Sequence, residues 1–200
     1  MNSEPTVFIV DDDTAVLHSL TALVKVIFPR VEAYASAAEF LAVYDPERPG
    51  CLVLDVAMPG MSGLELQRKL EQEKIEIPVI FITGHGNVRM AVGAMRAGAV
   101  NFLEKPFQEQ ELWDSIRKAL EVDGVNRRRR ARRACIEKHL AALSPGEREV
   151  LDLILAGKFN KEIAAELGLS IRTVEDRRAR LMKKMQAQSV AELVQLATMR

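Results

Sequence analysis

Five short runs of β-branched and other apolar residues alternate with helical patterns over residues 1–121, and this alternation restricts the possible folds strongly. The runs that read as strands are Val7–Val10, Val31–Tyr34, Cys51–Asp55, Pro78–Thr83 and Asn101–Lys105. Strands joined by right-handed helical crossovers form a parallel sheet that is covered on both faces. The sequence therefore predicts a doubly wound α/β domain with five parallel strands and five helices.

Apolar spacing and capping signals place the helices between these strands. The first helix, about Thr14–Ile27, is expected to bury one face. That face comprises Val16, Leu20, Leu23, Val24 and Ile27. Two S-x-x-E capping boxes, at Ser36/Glu39 and Ser62/Glu65, mark the next helix starts, and Gly98 can end the fourth helix.

The formal net charge of zero hides an asymmetry between the two parts of the chain. Residues 1–124 carry 11 Lys and Arg against 19 Asp and Glu, whereas residues 125–200 carry 17 against 9. An acidic part followed by a basic part indicates different partners, and the basic part is the candidate for nucleic-acid binding.

The pattern changes after Glu121, where an arginine-rich stretch, Arg127–Arg133, carries too much charge for a packed core. Interspersed apolar residues favour a solvated helix over a flexible coil. From Ser144 onward there are four short helical segments and no strand signal, the first of which begins with the capping box Ser144/Glu147. We therefore expect an α/β domain at 1–121, a helical linker at 122–142 and an all-α domain at 143–200.

The two cysteines, Cys51 and Cys135, have neither the number nor the spacing of a disulfide framework or a zinc site. The first residues show no basic and apolar leader, and no apolar run approaches the ~18 residues of a membrane span. The sequence predicts a cytoplasmic chain with no membrane association.

Several chemically active side chains follow the predicted strands at their carboxyl ends, where parallel α/β sheets gather their chemistry. They are Asp11, Asp12 and Asp13 after the first strand, then Asp55, Thr83 and Lys105. Clustered carboxylates repel each other unless a hard cation such as Mg²⁺ is bound. A carboxylate can also attack phosphorus, and a lysine can neutralise a phosphoryl oxygen. Asp13 is equally well explained as the N-cap of the first helix.

These residues stand in motifs that resemble the bacterial receiver-domain signature: V-F-I-V-D-D-D, L-V-L-D-x-x-M-P-G-M-S-G, F-I-T-G-H-G and F-L-E-K-P-F. The resemblance covers nearly all of residues 5–121. It implies that Asp55 is phosphorylated by a sensor histidine kinase. It also implies a Mg²⁺ site formed by Asp11, Asp12, Asp55 and the carbonyl of Ala57. Lys105 would contact the phosphate. The Lys105–Pro106 peptide bond is expected to be cis.

The same resemblance implies a switch and a dimer surface. Thr83 would turn toward the phosphate and Phe102 would turn inward behind it. Phosphorylation would then favour a homodimer through the fourth helix and fifth strand, around Arg89, Val92, Arg96 and Asn101. His85 lies in the loop after Thr83 and either takes part in the chemistry or only shapes the loop.

The segment Leu143–Leu196 resembles the LuxR-type helix-turn-helix, through the residues G-K-F-N-K-E-I-A-A-E-L-G-L-S-I-R-T-V-E-D-R-R-A-R-L-M-K-K-M. This resemblance makes Asn160–Leu167 the scaffold helix and Ser170–Met185 the recognition helix. With Val174, Leu181 and Met185 in the core, helical geometry turns Arg172, Asp176, Ala179, Arg180 and Lys183 away from it and puts Glu175 and Arg177 on the flanks. The residues expected to contact DNA are Asn160, Lys161, Arg172, Thr173, Glu175, Asp176, Arg177, Arg180 and Lys183.

Two positions depart from many LuxR-type modules, which have Lys in place of Glu175 and His in place of Arg177. Asp176 adds a second acid. Carboxylates repel phosphate unless a base amino group such as cytosine N4 pairs with them. We therefore expect the acids to set sequence preference and the basic residues to set affinity. The Thr-Val-Glu variant and the Gly-His-Gly loop point to the FixJ subfamily.

The resulting hypothesis is a non-enzymatic transcriptional regulator whose partners are a histidine kinase, promoter DNA and the transcription machinery. One alternative is a phosphohydrolase of the haloacid dehalogenase type, with Asp11 as nucleophile and Asp13 as acid. That pattern requires Thr or Val where this chain has Ala15. A second alternative is a DNA-binding protein that acts without phosphorylation, which leaves the set of acids, Thr83 and Lys105 unexplained.

Overall fold

A computed structural model describes residues 4–84 and 88–198 of the chain. The residues separate into two compact units, one that ends at Arg127 and one that begins at Arg128. Among the described residues, no helix is long and apolar enough to cross a membrane.

The first unit contains one parallel sheet in the strand order β2-β1-β3-β4-β5. Its strands are β1 Thr6–Val10, β2 Val31–Tyr34, β3 Gly50–Asp55, β4 Val79–Thr83 and β5 Asn101–Glu104. The helices that follow them are α1 Thr14–Lys25, α2 Ala37–Val43, α3 Gly63–Gln72, α4 Val88–Arg96 and α5 Glu109–Ala141. The predicted α/β fold is confirmed, and the predicted strand ends are shifted by at most one residue.

Alternate residues of the central strands feed two apolar clusters, one on each face of the sheet. In β1, Phe8 and Val10 pack in one cluster and Val7 and Ile9 in the other. All four side chains are buried. This two-sided burial explains why the strands read as continuous apolar runs instead of alternating ones.

The predicted buried face of α1 is partly wrong. The helix ends at Lys25, and Ile27 beyond it is 41% exposed. The residues of α1 that are buried against the sheet are Leu17, Leu20 and Val24. Since Leu17 lies one turn before Leu20 and two before Val24, it belongs to the same stripe and replaces Ile27 in it.

Capping groups fix the helix starts largely as the sequence predicts. Ser62 and Glu65 form both bonds of a capping box at α3. At α2, Ser36 accepts the Glu39 amide, but the Glu39 carboxylate accepts the amide of Ala35 and not that of Ser36. Gly98, with φ of +86°, follows α4 in the left-handed conformation that glycine permits.

Helix α5 continues through the stretch expected to be a separate linker. Asp123 is 2% exposed, and its carboxylate accepts the backbone amide of Gly50 at 3.0 Å and the Arg127 guanidinium at 2.8 Å. Arg127 also donates to the carbonyls of Pro46, at 3.1 Å, and Glu47, at 2.8 Å. This Asp123–Arg127 pair therefore attaches α5 to the start of β3.

The second unit is all-α in its described residues, with α6 Pro145–Leu155, α7 Asn160–Leu167, α8 Ile171–Met185 and α9 Val190–Thr198. Its core includes Ile136 and Leu140 of α5 together with Val174, Leu181 and Met185 of α8. The four predicted helical segments are confirmed. The domain boundaries at 121 and 142 stay a prediction.

Candidate functional sites

The first site lies at the carboxyl ends of β1, β3 and β5. Lys105 follows β5, and its ammonium group lies 3.0 Å from Asp11 Oδ2 and 3.3 Å from Asp55 Oδ1. Asp11 directly follows β1, and Asp55 is the last residue of β3. The backbone amide of Lys105 donates a hydrogen bond of 2.8 Å to the carbonyl of Thr83, at the end of β4, and this bond fixes the lysine backbone. Two carboxylates thus share one cation, and this leaves the three groups with a net negative charge.

Asp55 is 8% exposed, and its second oxygen accepts the backbone amide of Ala57 at 2.6 Å. Burial raises the pKa of Asp55, and the neighbouring charge of Asp11 adds to the increase. The Ala57 amide and Lys105 oppose it without cancelling it. For Lys105, burial disfavours the charged form, but the bonds to Asp11 and Asp55 raise the pKa overall.

The other two acids of the N-terminal triplet have different surroundings. Asp12 is exposed. Asp13 caps α1, because its side chain accepts the amides of Ala15 at 2.8 Å and Val16 at 3.3 Å. The interpretation of Asp13 as the N-cap of α1 is therefore confirmed.

The acids present fit Mg²⁺ in part. This ion takes oxygen ligands, and one or two carboxylates suffice when waters and phosphate oxygens complete its shell. Asp11 and Asp55 are two such carboxylates, joined through Lys105. Within residues 4–84 and 88–198, no three His, Cys, Asp or Glu side chains stand close enough to hold an ion. All four expected ligands, Asp11, Asp12, Asp55 and the Ala57 carbonyl, stay predictions.

The residues of the expected switch lie next to this site. Thr83 is buried at the end of β4, and Phe102 of β5 is half-buried with its ring centroid 6.0 Å from that of Phe81. The Lys105–Pro106 bond is cis, as expected. His85 lies outside the described residues.

The surface formed by α4, β5 and α5 carries the residues expected at a dimer interface. Arg89, Val92 and Arg96 are exposed on α4. Asn101 is half-buried, and its amide donates to Ser115 Oγ of α5 at 2.8 Å. A groove beside it is lined by Met95, Val100, Asn101, Leu103 and residues of α5. The structure thus places three of these residues outward and uses the fourth to join β5 to α5.

In the second unit, one face of α8 carries exposed charged residues. Val174, Leu181 and Met185 are buried as predicted. The residues on the exposed face are Arg172, Glu175, Asp176, Ala179, Arg180 and Lys183. Thr173 is half-buried at the helix start, where its amide donates to the capping Ser170 hydroxyl at 3.1 Å. Lys161 of α7 is exposed.

Two of the residues expected to contact DNA have partners inside the unit. Arg177 lies 3.6 Å from the Glu149 carboxylate and 3.5 Å from the Gly146 carbonyl. Asn160 accepts a hydrogen bond of 2.7 Å from Arg178. Arg177 therefore holds α8 to the start of α6, and the side-chain carbonyl oxygen of Asn160 is bonded inside the unit.

The sequence interpretation missed Arg178 and Lys184. Lys184 donates to Glu147 Oε2 at 2.7 Å and to the Ala142 carbonyl at 3.0 Å. A signal for Arg178 was available, because it lies one turn after the buried Val174 and so faces the neighbouring helices. Lys184 lies three residues after Leu181, which puts it near the buried face of α8. Its pairing with Glu147 depends on how the helices pack and could not be predicted from this spacing.

Comparison with known families agrees with both units. Residues 7–117 match the response regulator receiver domain, and residues 141–197 match the bacterial regulatory proteins of the luxR family. The chain belongs to the two-component response regulators with a LuxR-type DNA-binding domain, and it is a transcriptional regulator.

Relatives match over nearly the whole length. The chain is 45% identical to Nodulation protein W of Bradyrhizobium diazoefficiens, over 98% of this chain and 86% of that protein. It is also 45% identical to the transcriptional regulatory protein FixJ of Rhizobium meliloti, over 96% and 94% of the two chains. Among solved structures, the response regulator StyR has a TM-score of 0.87 at 44% identity, covering 98% of each chain.

Proposed function

We propose that phosphorylation of Asp55 by a sensor histidine kinase controls DNA binding by this regulator. The observation that carries the proposal is the bridge from Lys105 to Asp11 at 3.0 Å and to Asp55 at 3.3 Å. The proposal is supported because a carboxylate that could act as a nucleophile and a fixed cation lie at one edge of the sheet, within reach of the same phosphoryl group.

The transfer exchanges one bond to phosphorus for another. An Asp55 oxygen forms a P–O bond while the bond from phosphorus to the kinase histidine nitrogen breaks, and the electron pair stays on that nitrogen. Lys105 moves its charge from Asp55 to a phosphoryl oxygen. Asp11 and Asp55, with Asp12 and the Ala57 carbonyl as further ligands, would hold Mg²⁺, which would supply further positive charge to the site when bound.

Thr83 and Phe102 form the switch in this proposal. The Thr83 hydroxyl turns toward the phosphoryl group, and the Phe102 ring moves inward against Phe81 and its neighbours. Such a pair has two discrete arrangements, and the phosphoryl group stabilises one of them. The result is a changed surface on α4 and β5, through which Arg89, Val92, Arg96 and Asn101 join a second copy.

The exposed face of α8 reads promoter DNA. Arg172, Arg180 and Lys183, together with Lys161 of α7, contact phosphates and set affinity, because basic side chains release condensed counterions. Glu175 and Asp176 set sequence preference through cytosine amino groups. Thr173 supports the start of the helix beside them, and the DNA-bound regulator engages the transcription machinery.

The site assignment is tested by phosphate incorporation from a small acyl phosphate with Mg²⁺, read by intact-protein mass spectrometry. Wild type should gain one phosphoryl group, and Asp55→Asn should gain none. Asp13→Asn is the matched control, since asparagine caps a helix as well as aspartate does. It should be phosphorylated like wild type. Incorporation into Asp55→Asn at the wild-type level contradicts the assignment.

A further inference from the structure

An arginine cluster precedes the part of α5 that packs in the second unit. Five of the six residues at 128–133 are arginine, and this segment lies within the helix Glu109–Ala141. Arg128, Arg132 and Arg133 are exposed. The helix is anchored after them by Ile136 and Leu140, which are 5% and 7% exposed in the core of the unit.

The spacing of this cluster places like charges together. Arg128 and Arg132 are one turn apart on the same side of the helix, and Arg133 follows about 100° around the axis. Like charges at this spacing destabilise a helix in water. A polyanion along the exposed side would remove that repulsion.

The fold does not neutralise these three side chains. In the described part of the chain, none of the ion pairs or hydrogen bonds found involves the guanidinium of Arg128, Arg132 or Arg133. The acid within one turn of these arginines is Glu137, which follows Arg133 by four residues and is exposed. Among the described residues, Glu137 forms no ion pair with Arg128, Arg132 or Arg133. These cations are available to a ligand.

We propose that Arg128, Arg132 and Arg133 form a second phosphate-binding surface, which holds the backbone of DNA flanking the site read by α8. Arginine binds phosphate well, because its planar fork of donors matches the phosphate oxygens. Duplex DNA presents a charge about every 1.7 Å along its axis, so three closely spaced arginines can each meet a phosphate.

The reach of the helix fits a flanking contact. Arg128 precedes the buried Ile136 by eight residues, or about 12 Å of helix. The cluster therefore lies outside the packed core of the unit and adds to the footprint of α8 without competing with it. This inference rests on the proposed DNA-binding function.

The test is the salt dependence of DNA binding by the full chain. The probe is a duplex enriched from a random library by the wild-type protein, used at its minimal length and with about ten more base pairs on each side, one helical turn. The variant is Arg128→Ala/Arg132→Ala/Arg133→Ala. On the extended duplex, the slope of the logarithm of its binding constant against the logarithm of salt concentration should be smaller in magnitude by about 2.7. Between about 50 and 200 mM salt, the wild type should therefore lose roughly 40-fold more affinity than the variant.

Two controls define the result. The triple lysine variant, Arg128→Lys/Arg132→Lys/Arg133→Lys, keeps the charge and should keep the wild-type slope within about one contact. Lys25→Ala/Arg68→Ala/Arg117→Ala removes the same charge from the first unit and should leave the slope unchanged. On the minimal duplex, the wild type and the arginine-to-alanine variant should bind alike.

Equal slopes for the wild type and the triple alanine variant on the extended duplex overturn the inference. The proposed function fails in a different way. Arg180→Ala/Lys183→Ala should weaken binding to both duplexes, and if it weakens neither, α8 is not the reading helix, whatever the cluster does.

Discussion

At the scale of the residue, two of the ion-paired centres among the described residues have different roles. Lys105 shares its charge between Asp11 and Asp55, so the three groups together keep a net negative charge. Lys184 instead holds the buried Glu147, which also completes the capping box with Ser144 at the start of α6. In the proposed function the first centre takes part in phosphoryl transfer, whereas the second joins α8 to the start of α6.

The structural centre predicts a pH dependence. The hydrogen bond from Lys184, with those from the Ser144 amide and hydroxyl, lowers the pKa of Glu147 to about 2. A depressed pKa means that the stabilisation is complete above the unfolded pKa of about 4.3 and is lost as the pH falls toward 2. Glu147→Gln should therefore lower the free energy of unfolding of the second unit by about 1–3 kcal/mol at pH 7.

Urea titrations followed by the methyl NMR signals of Leu151 and Met185 measure this difference within the full chain. It should shrink between about pH 4 and pH 2, as wild-type Glu147 is protonated. Glu149→Gln is the matched control, because the Glu149 side chain is 58% exposed and its pair with Arg177 is worth at most about 1 kcal/mol. A difference that does not change with pH contradicts this role of Glu147.

At the scale of the element, helix α5 and strand β3 are joined at the end of the sheet opposite Asp55. Asp123 accepts the amide of Gly50, the first residue of β3, and Asp55 is the last residue of that strand. Arg127 completes the contact by donating to Asp123 and to carbonyls of the loop before β3. The strand that carries Asp55 is thus fixed at its start by the helix that leads toward the second unit.

Arg127→Met should destabilise the first unit by about 3 kcal/mol, because it leaves the buried Asp123 carboxylate without its cation. Urea unfolding monitored by the fluorescence of Trp113 reports on this unit, since Trp113 is the single tryptophan and donates to the Leu23 carbonyl. Arg117→Met is the control, because its pair with Asp114 is exposed and should cost under about 1 kcal/mol. Equal losses in the two variants contradict the role given to Arg127.

At the scale of the whole molecule, local sequence patterns predicted the fold and the family. They did not predict the contacts between residues that are distant in the sequence. Strands and capping boxes depend on residues that are close in the sequence, so their positions could be predicted from it. Arg127 reaches carbonyls about 80 residues earlier, and such a contact leaves no sequence pattern. Arg177 is expected on the flank of α8, and its pairing with Glu149 depends on the packing of α6 beside it.

The separation of charge along the chain also belongs to this scale. The acidic first part and the basic last part predicted different partners, and the family matches assign a receiver domain to one and a DNA-binding domain to the other. The account therefore depends on whether a phosphoryl group on Asp55 changes the affinity of the basic part for DNA.

The affinity of the full chain for its enriched duplex, titrated at fixed salt with and without a phosphoryl group on Asp55, measures this dependence directly. We expect phosphorylated wild type to bind at least about 5-fold more tightly, the lower end of typical coupling between sites. Asp55→Asn should show no change with the phosphodonor, and Thr83→Ala should be phosphorylated but lose most of the gain. Equal affinities for the phosphorylated and unphosphorylated wild-type protein contradict the account.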